Sequence, residues 1–233
     1  MTDLVTYRYE EPVASITMDD GKVNALSVDM LGALGAAFDR AEADDAAVVL
    51  AGRDGTFSAG FDLKVLTAFG PEAPRMMRAG FELALRMLSF PRPIVVACTG
   101  HAFAMGSFLL LSGDYRIGVQ GAEHKIAANE VKIGLTMPHS ALVILGQRLN
   151  RSYHDRVVNL SETFAPDTAV AAGFLDALVP ADELLAAATH KAAELRELDM
   201  RAFAETKLRN RAATLDALRL AIETDDAEFK ALL

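Results

Sequence analysis

Residues Ala46 to Leu63 read AAVVLAGRDGTFSAGFDL, and the reading of this stretch decides the fold. AAVVLAG is a short, unbroken apolar run, the pattern of a strand covered on both faces. The chain then leaves through a tight corner, GTFSAGFDL, which packs two glycines, two phenylalanines, a serine and an aspartate into nine residues. The corner is either a plain strand-to-helix turn or a cradle whose small residues leave backbone N–H groups unobstructed. A second instance follows, in which IVVACTG, another buried strand, runs into GHAFAMGSF. Ligands of layered α/β proteins bind beyond the carboxyl ends of strands. Two such loops side by side would present two N–H donors to one oxygen, the geometry of an oxyanion hole. On pattern alone both readings stand.

Working outward, VASITM (13–18) alternates loosely and ends at the turn signal DDGK, so it is predicted as a strand. Ser27 is placed to cap a helix over VDMLGALGAAFDRAEAD, where apolar residues recur at helical spacing. A further helix is expected over 76–88, stopped by PRP, and a buried helix over AFAMGSFLLLSG, before a third strand at DYRIGV. Strand and helix alternate, which predicts a layered α/β core. Past Ala181 the chain is rich in Ala, Leu, Glu, Lys and Arg and carries no strand signal. Its apolar stripe needs a partner, the core or another subunit.

The 233 residues carry 23 Lys+Arg against 32 Asp+Glu, a formal net charge of -9 that disfavours nucleic acid and anionic membranes as partners. No signal peptide is read at MTDLVTYRYEEP, and the most apolar window, AFAMGSFLLL, is about half the length of a membrane span. The single cysteine, Cys98, lies mid-strand, is read as an inert core residue, and fits a cytoplasmic location. The five histidines show no metal-ligand spacing, so no metal is expected. Ser58 lacks the GxSxG setting of a nucleophile elbow, and no GxGxxG or P-loop occurs.

Five segments in order resemble the crotonase superfamily, the enoyl-CoA hydratase/isomerase family: DDGKVNALSVDM, GTFSAGFDLK, RPIVVACTGHAFAMGSFLLLSGDYRIG, ANEVKIGLTMP, and the later FAPDTAVAAGFLDALVPADELLAAA with AFAETKLRNR. The resemblance implies an α/β fold, a crotonase spiral of ββα units over 1–185, with a helical C-terminal trimerisation region over 186–233. It implies a homotrimer or hexamer acting on an acyl-coenzyme A thioester of fatty acid metabolism, with no cofactor beyond the coenzyme A that the substrate carries. Carried over by position, the backbone N–H groups of Phe61 and Met105 hold the thioester oxygen, and Glu130 moves the proton. Lys22, Ala25, Leu26, Ser58, Ala59, Gly60, Asp62, Leu63, Ala104, Gly106, Phe108, Leu135 and Pro138 line the substrate. Lys22 and Lys64 are local cations near the coenzyme phosphates.

Two departures stand out. Phe108 occupies the place of the second glutamate of the family's two-glutamate hydratases, and a phenyl ring neither activates water nor moves a proton. One glutamate suits a shift of a double bond better than hydration, while thioester hydrolysis and a non-catalytic acyl-CoA-binding role stand as alternatives. Glu123, His124 and Asp62 are candidate substitutes. His139 replaces a small residue in GLTMPHSA, as a surface residue or a polar pocket residue.

Overall fold

The computed structural model describes residues 3–68 and 70–231. The chain begins with β1 (Val5–Glu10), β2 (Val13–Met18), β3 (Ala25–Leu26), α1 (Val28–Ala43), β4 (Ala47–Ala51), β5 (Gly55–Ser58) and β6 (Gly60–Phe61). Next come α2 (Leu63–Thr67), α3 (Glu72–Ser89), β7 (Ile94–Cys98), β8 (Gly100–Phe103), α4 (Met105–Leu111), β9 (Tyr115–Val119) and β10 (Ile126–Ala127). The remainder is α5 (His139–Arg148), α6 (Arg151–Val158), α7 (Pro166–Ala172), β11 (Ala177–Val179), α8 (Leu184–Arg196) and α9 (Met200–Ala231).

A six-stranded sheet runs in the order β1-β2-β4-β7-β9-β11, parallel apart from the β1–β2 pair. A three-stranded sheet runs β10-β8-β5, and β3 pairs with β6 alone. Each unit therefore sends one strand into the large sheet, the next into a small sheet, and returns through a helix. This repeat was only half legible in the sequence. Gly55–Ser58 and Gly100–Phe103, expected as loop and as helix start, are strands of the small sheet, and α4 begins only at Met105. Gly100 permits the β5–β8 contact, since a Cβ there would lie 1.9 Å from the Gly55 carbonyl carbon.

The unbroken apolar runs of β4 and β7 follow from cover on both faces. Val48, Leu50 and Val96 enter the main core with α1, α3 and α4, while Val49, Ala51, Val95 and Ala97 enter a second core. That second core is closed by Leu184, Ala188 and Ala192 of α8. The C-terminal helix α9 packs on α3 and α5 of its own chain, so its apolar stripe finds a partner in the core. Ser27 caps α1 as expected, its hydroxyl accepting the Met30 N–H at 3.2 Å. Cys98 is buried, and burial pushes its thiol up to about 12, which keeps it protonated. No helix among the described residues is long and apolar enough to cross a membrane.

Candidate active site

The site starts from a knot in the first motif. The Asp20 carboxylate accepts the N–H groups of Lys22, Asn24 and Ala25 at 2.7, 2.9 and 3.0 Å. Burial works to raise its pKa, but these N–H groups and Arg53 outweigh it and hold the carboxyl below its ordinary value. Asn24 is fully buried with a left-handed backbone, φ 51°. Its Nδ2 donates to the carbonyls of Met18, Thr56 and Phe57 at 3.1, 3.3 and 3.1 Å, and its Oδ1 accepts the Asp20 N–H. One amide thus ties β2, β5 and the turn before β3.

The knot positions the opening corner. Ser58 Oγ donates to the Asn24 carbonyl at 2.7 Å and accepts the Gly60 N–H at 3.1 Å, so this hydroxyl braces the loop. Ala59 N–H reaches the Val23 carbonyl, and β3 pairs with β6, Ala25 opposite Gly60 and Leu26 opposite Phe61. The two glycine-bearing loops then meet. At Gly60, φ 90°, a Cβ would lie 2.9 Å from the Ala104 methyl and 3.2 Å from the Met105 nitrogen. Gly106 is held as closely, since a Cβ there would lie 2.5 Å from the Ser58 carbonyl oxygen. Met105 opens α4, where the first N–H groups have no intrahelical acceptor.

Ala104 pays for this approach in backbone strain, with φ 47° and ψ -127°. Only glycine adopts that conformation freely. Ala104→Gly is therefore expected to raise stability by about 1 kcal/mol, the strain relieved less the added freedom of the unfolded chain. A thermal melt should rise by about 3 °C. An unchanged or lower melting temperature would show the strain to be absorbed elsewhere.

Beneath the corner, Phe61, Phe81 and Phe108 form an aromatic column. Phe61 meets Phe81 edge-on at 6.0 Å between centroids, and Phe81 stacks on Phe108 at 6.3 Å. Gly80 makes room, since a Cβ there would lie 2.5 Å from the Phe61 ring. Phe108 is 1% exposed, so the position that departs from the hydratases is filled by core packing.

Glu130 lies three residues beyond Ala127, whose carbonyl accepts the Ala104 N–H at 3.0 Å. Its side chain is 5% exposed and its Oε2 has no hydrogen-bond partner among the described residues. Burial pushes its pKa up to about 7, with its own backbone N–H opposing weakly. A carboxyl so held is half ionised near neutrality, the condition for taking and returning a proton. The rim beside it is apolar and open, with Val131, Ile133 and Leu135 exposed and Pro138 half-buried.

The other expected residues divide by place. Leu26 is buried behind the corner, Ala25 and Ala59 are half-buried along it, and Leu63, Lys22 and Lys64 are exposed at its edge. Asp62 Oδ1 accepts the Lys64 N–H at 2.9 Å and caps α2. Glu123 is exposed, and the His124 ring stands edge-on to His101 at 5.6 Å. His139 is an exposed residue at the start of α5, its Nε2 3.3 Å from Glu228 of α9. Sequence reasoning missed Asp225 of α9, whose carboxylate accepts the N–H groups of His139 and Ser140 at 2.8 and 2.9 Å. Its only signal is an aspartate in an otherwise generic helical tail. No group of three or more His, Cys, Asp or Glu side chains suited to a metal ion occurs among the described residues.

Strand–strand–helix units, two loops meeting at a glycine and a buried carboxyl beside them define a crotonase-type protein. The family model described as enoyl-CoA hydratase/isomerase matches residues 8–233, and the chain belongs to that family. A Mycobacterium tuberculosis protein, called an enoyl-CoA isomerase in its apo structure and a probable enoyl-CoA hydratase in another, superposes in the apo form with a TM-score of 0.94 at 47% identity, over 98% of this chain and 100% of that one. An enoyl-CoA hydratase of Mycobacterium marinum superposes with a TM-score of 0.93 at 45% identity, over 97% and 99%. The human mitochondrial enoyl-CoA delta isomerase 1 is 27% identical over 221 residues, 93% of this chain and 73% of the human protein.

Proposed function

We propose that this enzyme moves the double bond of a 3-enoyl-CoA thioester to the 2 position, with Glu130 as the single proton carrier. The observation that carries the reading is Glu130 itself, buried, without a partner for Oε2 among the described residues, and raised by burial to about 7. The carboxylate takes a proton from carbon 2. The electrons pass into the carbonyl, giving an enolate whose oxygen sits between the N–H groups of Phe61 and Met105. Such donors act where charge develops, each worth about 3 kcal/mol of barrier. The double bond re-forms between carbons 2 and 3 as the same carboxyl returns the proton to carbon 4. Atoms and charge balance with one base.

Hydration of a 2-enoyl thioester asks for more, one group to activate water and another to handle the second proton. Phe108 is locked in the aromatic column and Asp62 is engaged in capping α2, which supports isomerisation over hydration. The working form in this reading is a cytoplasmic homotrimer or hexamer. The discriminating experiment compares kcat/KM for a 3-enoyl-CoA with that for hydration of the matching 2-enoyl-CoA. A ratio of about a hundred in favour of isomerisation is expected, the usual worth of one acid–base group. Equal or faster hydration overturns the single-carboxylate reading.

A further inference from the structure

An opening away from this site lies at the far end of α4. It is a cleft of about 470 Å³ between the start of α9, the end of α5 and the turn after α4. Its lining includes Asp114, Arg148, Phe203, Thr206, Lys207 and Arg211, none of which belongs to the clamp. The volume is that of a small-molecule site.

The charge balance there is unusual for this protein. Asp114 accepts Lys207 Nζ at 2.8 Å, Arg211 Nη2 at 2.9 Å and the Ile94 N–H at 2.9 Å, so one carboxylate faces two nearly buried cations. Arg148 adds a third cation, its Nη2 donating to the carbonyls of Gly113 and Asp114 at 2.5 and 2.9 Å. Behind it, Arg116 and Asp176 form a closed bidentate pair that contributes no net charge. Asp199 stands at the mouth, where its Oδ1 caps α9 at the Ala202 N–H. Even with Asp199 counted, the lining has more positive than negative groups, in a chain of net charge -9.

Donors are left over as well as charge. Arg148 Nε is buried and finds no partner among the described residues. Lys207 has three N–H groups, of which one reaches Asp114 and none reaches another acceptor among the described residues. Buried cations without matching anions are costly, and burial drives Lys207 down to about 8 and Arg148 down to about 10. An anion of more than one charge entering the cleft would remove both deficits.

We propose that this cleft is a second ligand site, for a phosphomonoester-type dianion held by Arg148, Lys207 and Arg211. Phosphate suits three converging cationic donors, because it offers several acceptor oxygens and about two charges near neutrality. The apolar wall of Leu198, Ala202 and Phe203 leaves room for an organic group on the phosphate. The site is independent of the reaction assigned to Glu130.

Removing Lys207 or Arg211 would strip Asp114 of one of its two cations and disturb the fold, so the test uses the exposed rim residue Thr206. The full chain is melted with increasing inorganic phosphate against chloride of equal ionic strength, as wild type, Thr206→Glu and Thr206→Gln. Wild type and Thr206→Gln should show a saturable rise in melting temperature, about 3 °C at ten times the dissociation constant. Thr206→Glu, which places a carboxylate in the cleft, should lose it. A general salting effect of phosphate would raise all three proteins alike without saturation. That outcome, or a full shift retained in Thr206→Glu, or no difference between phosphate and chloride, overturns the proposal.

Discussion

Glu130→Gln is expected to lower kcat about a thousandfold, within the range spanned by loss of one acid–base group, and at the same time to stabilise the protein above neutral pH. Both effects come from one fact, that the carboxyl is buried and its pKa stands at about 7 against an ordinary 4.5. A group whose folded pKa is raised binds protons more tightly in the folded protein. Its contribution to stability is therefore fully present below about pH 4.5 and is lost as the pH rises through about 7. The gap corresponds to about 3 kcal/mol when complete. Glutamine has no charge to lose, so the variant keeps stability where the wild type gives it up. Melts at pH 5 and pH 8.5 should differ little between the two proteins at the lower pH. At the higher pH the variant should melt roughly 6–12 °C above wild type. In the wild type, kcat/KM for isomerisation should rise with pH through about 7 as the base ionises. An unaffected rate in the variant would place the proton on another group, whereas lost activity with lost stability would mark a structural role.

How much of this could be read from the sequence depended on whether the signal was local. The runs AAVVLAG and IVVACTG revealed buried strands because cover on both faces makes every residue apolar. The α1 cap at Ser27 and the break at PRP were legible for the same reason, since their physics lies within a few residues. The small-sheet strands β5, β8 and β10 escaped. They are two to four residues long and exist through pairing with residues distant in the chain, as Gly55 with Gly100 and Ile126 with Ala102. α4 starts three residues later than its apolar pattern suggested, because Ala102 and Phe103 are drawn into that pairing. At the site, motif resemblance nominated Glu130, Phe61 and Met105, but nothing local to Glu130 announces burial. That property is visible only in the folded chain. The ion cluster of Asp114 with Lys207 and Arg211 was invisible for the same reason, its members being about a hundred residues apart in sequence.

Asn24→Ala is expected to be the most damaging single change outside Glu130, although Asn24 has no assigned part in the chemistry. Its one side-chain amide serves three carbonyls and one N–H on three segments, beside the Ser58 hydroxyl and the Ala59 N–H, which also bind the turn before β3. Truncation takes this partner from the buried Met18 and Phe57 carbonyls, while the Thr56 carbonyl keeps Thr99 Oγ1 at 3.4 Å. Each buried group left unpaired costs about 1–3 kcal/mol where water cannot replace the bond, and the lost packing adds to it. Partial relaxation would leave a loss of about 4 kcal/mol, which lowers the melting temperature by roughly 8–16 °C. The consequence for function follows from register. The residue after Asn24 is Ala25, which pairs with Gly60 as Leu26 pairs with Phe61, so slack in the knot becomes slack in the corner that aims the Phe61 N–H. A donor misplaced by about 1 Å can cost about a hundredfold in rate, so kcat should fall with KM much less affected. Asn24→Gly separates the two burdens that alanine combines. Both variants lose the amide, but glycine accepts the left-handed backbone that alanine resists, so Asn24→Gly should be the more stable by about 1 kcal/mol. If Asn24→Ala melts within a degree or so of wild type, packing and the remaining hydrogen bonds of Ser58 and Ala59 hold the strands and the amide is dispensable. If it melts early but keeps full kcat, the clamp is fixed independently of the knot beneath it.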